Sequence, residues 1–459
     1  GNAVPAIVTN LFGFCNETTN AVFIGHYGST DALAAIGIGN MLQNCCGLSI
    51  GIGIASALDT LVSQAHGAGQ DRLACLYLQR ARLIAASQMV WILPLLIWSD
   101  RWLIALGQDP TVAKYAAEYN AVSAPFLVFW FHSSTTRRFL SSFLRPLASV
   151  YVGAICAVMH VFWCWVFVAQ LGLGNRGVGL ANGASWTLRA VLLSGYLWCV
   201  APSLGVSRAL VLGFDRQALR GWAAFMKVAV PALVQTCSEW WFWEITSFMV
   251  GYLGSETLAA HVTAQNIYTL AEMVPLGTSA AAAAMVGNAM GGRAPRIAKR
   301  IAWLAVATTL AVWLAMTVAI SLGHSVATSF FTKDPAVQRL AGTLLLINFW
   351  ASGPLECCGS VIGGVCRGMR KLTASTGIFL VSYYCVMLPA ALLLMFPLQW
   401  GIRGLYWAMP LGTAVSCAAF VATLRRADWS ELSERAAARI AVEAADARAP
   451  GEECAAGDA

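Results

Sequence analysis

Gly25-His26-Tyr27-Gly28-Ser29-Thr30-Asp31-Ala32-Leu33-Ala34-Ala35 recurs, one residue shorter, as Gly251-Tyr252-Leu253-Gly254-Ser255-Glu256-Thr257-Leu258-Ala259-Ala260. Three further landmarks repeat at nearly the same distance. Gly67 pairs with Gly291, Leu144-Arg145 with Cys366-Arg367, and Asn175-Arg176-Gly177-Val178 with Ile402-Arg403-Gly404-Leu405. The offsets are 226, 224, 222 and 227 residues. A near-constant offset over four landmarks marks an internal duplication.

The repeated unit is apolar. Of 459 residues, 58% are hydrophobic and 11% charged, against about 25% charged in soluble domains. A soluble chain of this kind has too little polar surface to cover its core. In lipid the conflict disappears, because a span needs about 20 mostly apolar residues. Twelve spans are predicted, near 3–26, 32–63, 78–106, 115–137, 145–171, 177–201, 222–252, 257–289, 297–324, 336–366, 372–397 and 402–424. The fold class is an all-α polytopic membrane protein with twelve transmembrane helices in two six-helix repeats. Six is even, so the repeats run parallel and a pseudo-two-fold axis lies along the membrane normal. The division is 1–201, a linker 202–221, 222–424 and a tail 425–459. Asp428 and Glu431 have the spacing to start a short amphipathic helix in that tail, and a disordered end is expected from Ala449.

The formal net charge is +7, but it is scattered a few residues per loop. That distribution argues against nucleic-acid binding. With the N-terminus in the cytoplasm, the inner connections and tail hold 22 Lys and Arg, and the outer connections hold 6. This asymmetry places both termini in the cytoplasm. Arg137 and Arg138 are counted here as residues of an inner connection. The 14 Cys lie mostly in apolar stretches without metal-ligand spacing. No metal or cofactor is expected. With no initiator Met, an N-terminal stretch is expected to precede Gly1.

Among the acidic residues inside predicted spans, the candidates are Glu17, Asp59, Glu239, Glu244, Glu272 and Glu356. An ionisable group at mid-membrane costs about 2.5–3.5 kcal/mol or more, so it has a partner or a task. Glu239 and Glu244 share Cys237-Ser238-Glu239-Trp240-Trp241-Phe242-Trp243-Glu244. Five helical steps put the two carboxylates about 140° apart. Trp243 shares the face of Glu239, and Trp240 shares that of Glu244. A carboxylate with aromatic walls suits an organic cation. A buried carboxyl group also suits proton exchange, since burial disfavours the charged form. The plainer reading of each acid is a hydrogen-bonding partner between helices. Asp59, near the inner end of its span, fits that reading; Glu239 and Glu356 fit the functional one.

At these residues the chain resembles the multidrug and toxic compound extrusion (MATE) family, and its eukaryotic branch in particular. The first half carries the resemblance in Pro5, Gly25-His26-Tyr27-Gly28, Leu33-Ala34-Ala35, Ser56-Ala57-Leu58-Asp59-Thr60-Leu61 with Gln64-Ala65, and Tyr77-Leu78-Gln79-Arg80. The second half adds Cys237-Ser238-Glu239-Trp240, Val274-Pro275-Leu276-Gly277, Val286-Gly287-Asn288 and Gly364-Val365-Cys366-Arg367-Gly368. The resemblance implies a V-shaped antiporter with N- and C-lobes, exporting organic cations, drugs or metabolites against inward proton flow. It marks Glu239, Glu244 and Glu356 as proton-coupling residues. It marks Asn10, Asn44 and Trp240 as substrate contacts, joined by Glu239, Trp243 and Glu356. Asn266 stands near a position where animal members carry another glutamate, and Glu272 lies off that position.

Several expectations follow. The chain is a multi-pass carrier, not an enzyme, in the plasma membrane or a vacuolar or other organellar membrane, and a monomer. Sodium coupling is the alternative drive. A major-facilitator carrier is the alternative fold, but the loop Gly67-Ala68-Gly69-Gln70-Asp71-Arg72-Leu73-Ala74-Cys75 matches only the first part of that signature. A flippase needs a basic cavity for pyrophosphate, whereas the buried charges here read as acidic.

Overall fold

The computed structural model describes residues 3–447, and among them no strand occurs. Twelve long helices account for most of the chain. They are α1 (Ala3–Tyr27), α2 (Asp31–Gly67), α3 (Asp71–Ile97), α4 (110–142), α5 (Leu147–Gln170), α6 (Gly174–Leu204), α7 (Trp222–Gly251), α8 (Ser255–Gly291), α9 (Pro295–Ser329), α10 (Pro335–Gly368), α11 (Leu372–Met395) and α12 (Ile402–Arg425). A thirteenth, α13, spans Trp429–Asp446. Nine of the twelve are long and apolar enough to cross a membrane by composition alone. The other three, α1, α4 and α7, are comparably long but interrupt their apolar surface with polar residues.

The duplication is visible in the backbone. Four left-handed backbone positions match between the halves: Gly69, Leu144, Gly172 and Gly174 in the first, Arg293, Arg370, Gln399 and Gly401 in the second. These pairs lie 224, 226, 227 and 227 residues apart. The Leu144 turn closes with Leu144 N–H to Ser141 O and Arg145 N–H to Leu140 O. The same two bonds link Arg370 to Arg367 and Lys371 to Cys366. Leu144 therefore corresponds to Arg370, not to Cys366 as the residue identities indicated. The offset of 222 becomes 226, and the repeat is more regular than the sequence reading made it.

The halves meet about their pseudo-two-fold axis through reciprocal contacts. Gln64 Nε2 donates to Gly368 O (2.7 Å), and its counterpart Asn288 Nδ2 donates to Ser142 O (2.8 Å). Gly67 abuts Asn288, and Gly291 abuts Gln64; a Cβ on either glycine would lie 2.1 or 2.0 Å from the facing carbonyl oxygen. Gly53 packs on Leu233 of α7, and Gly277 packs on Ile7 of α1. Missing side chains let helix backbones approach closely, the usual basis of helix association where lipid offers no hydrophobic drive. These seams lie toward the end of the bundle that carries most of the basic residues, called the basic end below.

Two expectations about charge are corrected. Arg137 and Arg138 do not lie in a connection; α4 continues to Ser142 and carries both inside the bundle. Interior charge is also not solely acidic. Arg82 donates to Thr136 Oγ1 (2.8 Å) and Val211 O, and Arg138 pairs with Asp59. The sign of buried charge therefore does not separate this chain from a flippase.

Asp428 caps α13 through Ser430 N (3.0 Å) and Glu431 N (3.0 Å). This helix bridges the halves at the basic end. Ile440 and Ala444 join the first-half core, and Trp429 joins the second-half core. Tyr77 donates to Glu443, Arg439 to Gln64, and Ser433 Oγ to Met290 O (2.9 Å). Ile440 is 2% exposed, and burying such a side chain contributes about 1.5–3 kcal/mol. Ile440→Asp is expected to lower the detergent-solubilised melting temperature by several degrees. An unchanged melting curve would show that α13 is not anchored there. The tail beyond 447, where the disordered end was expected, lies outside the described residues.

Candidate functional site

The second half gathers three carboxylates. Glu239 comes from α7, Glu272 from α8 and Glu356 from α10, and each side chain is half-buried. Tyr268 Oη donates to Glu356 Oε2 (2.7 Å), and Tyr383 Oη lies 3.4 Å from Glu356 Oε1. Glu272 is within hydrogen-bonding reach of Glu356. Glu239 feels the charge of both Glu356 and Arg367. Two carboxyl groups hydrogen-bond to each other only when one carries a proton, because a carboxylate has no donor. Chemically, such a cluster can hold either a proton or a cation on its oxygen atoms.

The ring wall behind it is closely packed. Tyr268 stacks edge-on against Trp313 and Phe349, at centroid distances of 5.6 and 5.5 Å. Tyr383 packs between Phe242 (4.9 Å) and Phe379 (4.8 Å). Both tyrosines are nearly fully buried. Their hydroxyl groups are thereby aimed at Glu356 instead of water.

Glu244 occupies another face of α7, as the 140° spacing predicted. It acts electrostatically on Cys45 of α2 in the first half. Beside it, Trp241 Nε1 donates to Cys45 O (3.4 Å), and Cys237 Sγ lies 3.5 Å from Ser49 Oγ. Trp243 packs against the second-half core, and Trp240 is half-buried on α7. Asn44 begins a π-helical turn of α2, Asn44–Leu48. Asn10 accepts from Arg137 Nη1 (3.2 Å). The structure therefore brings Glu239 and Glu356 together, turns Glu244 toward the other half, and leaves Asn10 beside α4.

The first half answers with a neutral network. Asn20 Nδ2 donates to Asn182 Oδ1 (3.1 Å), Asn182 Nδ2 to Tyr119 Oη (2.7 Å), and Tyr119 Oη to Asn40 Oδ1 (2.6 Å). His160 bridges Asn20 Oδ1 (2.9 Å) and Ser185 Oγ (2.9 Å). These groups come from α1, α2, α4, α5 and α6, and apart from Asn40 they are at most 7% exposed. Glu17 of α1 acts electrostatically on Tyr119.

Sequence reasoning passed over Glu272 as a cluster member, Tyr268 and Tyr383 as its donors, and the His160 network. Glu272 had a signal, being one of the six candidate acids inside spans. His160 had a similar one, since it lies in the apolar run Ala157-Val158-Met159-His160-Val161-Phe162. The tyrosines had none that separated them from packing aromatics.

Comparison with known proteins bears on all of this. A family model described as MatE matches twice, over residues 5–166 and 231–393. The matches begin 226 residues apart, the spacing of the backbone repeat. Multidrug and toxin extrusion protein 1 of Danio rerio is 30% identical over 445 residues, covering 96% of this chain and 74% of that protein. Protein DETOXIFICATION 16 of Arabidopsis thaliana is 30% identical over 445 residues, covering 95% and 89%. The crystal structure of the eukaryotic MATE transporter AtDTX14 has the same fold, with a TM-score of 0.87 at 22% identity, covering 96% of this chain and 97% of that one.

Proposed function

The chain belongs to the MatE family of multidrug and toxin extrusion transporters, and from that premise we propose that it exports organic cations in exchange for protons by alternating access. One observation supports the coupling and the substrate class: Glu239, Glu272 and Glu356 converge, and among the described residues Arg367 is the opposite charge that acts on Glu239. Three carboxylates outnumber the one guanidinium that acts on them, and leave a negative site when ionised. An organic cation is drawn there by charge, and an arriving proton removes that attraction. The event is a population shift driven by differential binding to two conformations. Glu244, turned toward the first half, is placed to meet the same substrate from the side. Asn10, Asn44, Trp240 and Trp243 supply polar and aromatic contacts in this proposal.

The lobes in this reading are 1–201 and 222–424, joined by 202–221 and followed by the tail. The basic end faces the cytoplasm, as the positive-inside bias requires, and both termini lie there. The direct test is uptake of a fluorescent organic cation by proteoliposomes under an imposed pH gradient. Gradient-dependent uptake that persists when sodium is replaced by choline is expected. Uptake that follows sodium and ignores the pH gradient would move the drive to Na⁺.

A further inference from the structure

Arg296, Lys299 and Arg426 line a cavity of about 460 Å³ at the basic end of the second half. It lies between the first turn of α9 and the corner where α12 passes into α13. Pro295, Asp428 and Trp429 are also in its wall. Three cationic side chains and one carboxylate leave the wall net positive. Asp428 Oδ1 is already taken by Ser430 N and Glu431 N (3.0 Å each). Among the described residues, no hydrogen bond or ion pair engages the side chains of Arg296, Lys299 or Arg426.

The same corner of the first half is neutralised by the chain itself. At the offset of 224 that joins Gly69 to Arg293, Arg72 corresponds to Arg296 and Asp71 to Pro295. Arg72 Nη2 lies 3.7 Å from Asp215 Oδ2 of the 202–221 linker, and its Nε donates to Ala447 O (3.2 Å). Asp71 adds an acid in the first turn of α3. The first turn of α9 has no acid, and Ala294 at its N-cap offers no side-chain acceptor. The partial positive charge of a helix N-terminus is therefore added to the three cations. One backbone corner occurs twice, and the second copy lacks the anions that serve the first.

Two further observations point to the missing anion. Trp429 is 7% exposed, and its Nε1 has no acceptor among the described residues. A buried donor left so is costly, and a phosphate oxygen is an acceptor. Beyond its basic turn α9 becomes apolar. Trp303, four residues past Lys299 and seven past Arg296, lies on their face of the helix, and the next residue, Leu304, is 59% exposed. A basic pocket at the end of a span, followed by apolar helix surface, matches a charged headgroup with its acyl chains.

We propose that this cavity holds the phosphate of an anionic phospholipid from the leaflet at the basic end, with Arg296, Lys299 and Arg426 as its counter-charges. The two guanidinium groups offer planar pairs of donors to the phosphate oxygens, and Lys299 offers a point charge. The acyl chains run along α9. The lipid thereby ties α9 to the start of α13, the helix that bridges the halves. A zwitterionic headgroup carries its own cation and gains little from these three. The site is separate from the Glu239–Glu272–Glu356 cluster, and binding there is measured without transport.

Native mass spectrometry of the delipidated whole chain in detergent counts bound lipid directly. Dioleoyl phosphatidic acid is the probe, dioleoyl phosphatidylcholine the neutral control and inorganic phosphate the free anion. One well-occupied phosphatidic acid adduct is expected, with phosphatidylcholine binding about tenfold more weakly. Arg296→Gln with Lys299→Gln is expected to weaken that adduct about thirtyfold, at about fivefold per cation. Arg216→Gln with Arg220→Gln removes the same charge from the linker at the same end, and is expected to change the adduct less than about twofold. Equal weakening by both pairs would mean diffuse attraction and overturns the proposal, as does no weakening by the first pair. Inorganic phosphate bound as tightly as the lipid would make this a site for the free anion and overturns the lipid assignment. Where the double substitution does not yield monodisperse protein, Arg426→Gln alone takes its place, with about fivefold weakening expected.

Discussion

Glu239→Gln is expected to remove most pH-driven cation uptake while the protein still folds. The side chain keeps its shape and loses only its charge. Breaking one partner of a desolvated charge pair costs about 2–5 kcal/mol, and each 1.4 kcal/mol is about tenfold. Driven uptake is therefore expected to fall by about thirtyfold or more. The measurement is initial uptake of a fluorescent organic cation into proteoliposomes, with a monodisperse elution profile as the control for folding. Wild-type uptake by the variant would remove Glu239 from the coupling site. Glu244→Gln makes the informative companion. Glu244 faces Cys45 rather than the Glu272–Glu356 pair, so its loss is expected to weaken substrate affinity more than coupling.

The second large effect is steric. Gly67→Ala and Gly291→Ala each place a Cβ about 2 Å from a backbone carbonyl of the opposite half. Neither carbonyl belongs to a movable side chain, so the seam itself must open. Overpacking of this kind costs about 1–3 kcal/mol, and here it acts against one conformation of the carrier. Transport is expected to fall about tenfold to a hundredfold for either substitution. The two effects should be similar, because the contacts are reciprocal. Gly323→Ala, which meets open space on α9, is expected to transport normally. Wild-type flux by Gly67→Ala and Gly291→Ala would show that closing this seam is not part of the cycle.

Much of this architecture was legible in the residues. A repeated glycine turn and an even number of apolar stretches are one-dimensional features, and the duplicated backbone follows them. Helix geometry also separated Glu239 from Glu244, because 100° per residue is a property of any α-helix. Reading failed where residue identity and backbone role part company. Leu144-Arg145 resembles Cys366-Arg367, yet the turn hydrogen bonds equate Leu144 with Arg370. Arg137 and Arg138 looked like residues of a basic loop, because charge commonly ends a span. They remain helical because Asp59 and Asn10 partner them inside the bundle.

The partners of each buried group lay further out of reach. Glu272 and Glu356 are 84 positions apart, and Asp59 and Arg367 are 308 apart. Periodicity states which residues share a face of one helix. It does not state which face meets which neighbour, because that depends on crossing angles and on where small residues permit close approach. By itself, then, the sequence determined the membrane as solvent, the twelve spans, the duplication and the acidic character of α7. Tertiary structure alone decided that Glu272 joins Glu239 and Glu356, that Gly67 and Gly291 form a reciprocal seam, and that Arg367 meets Asp59 across it. The first set follows from local composition and period. The second requires helices remote in sequence to be packed against one another, and only then do charges have partners.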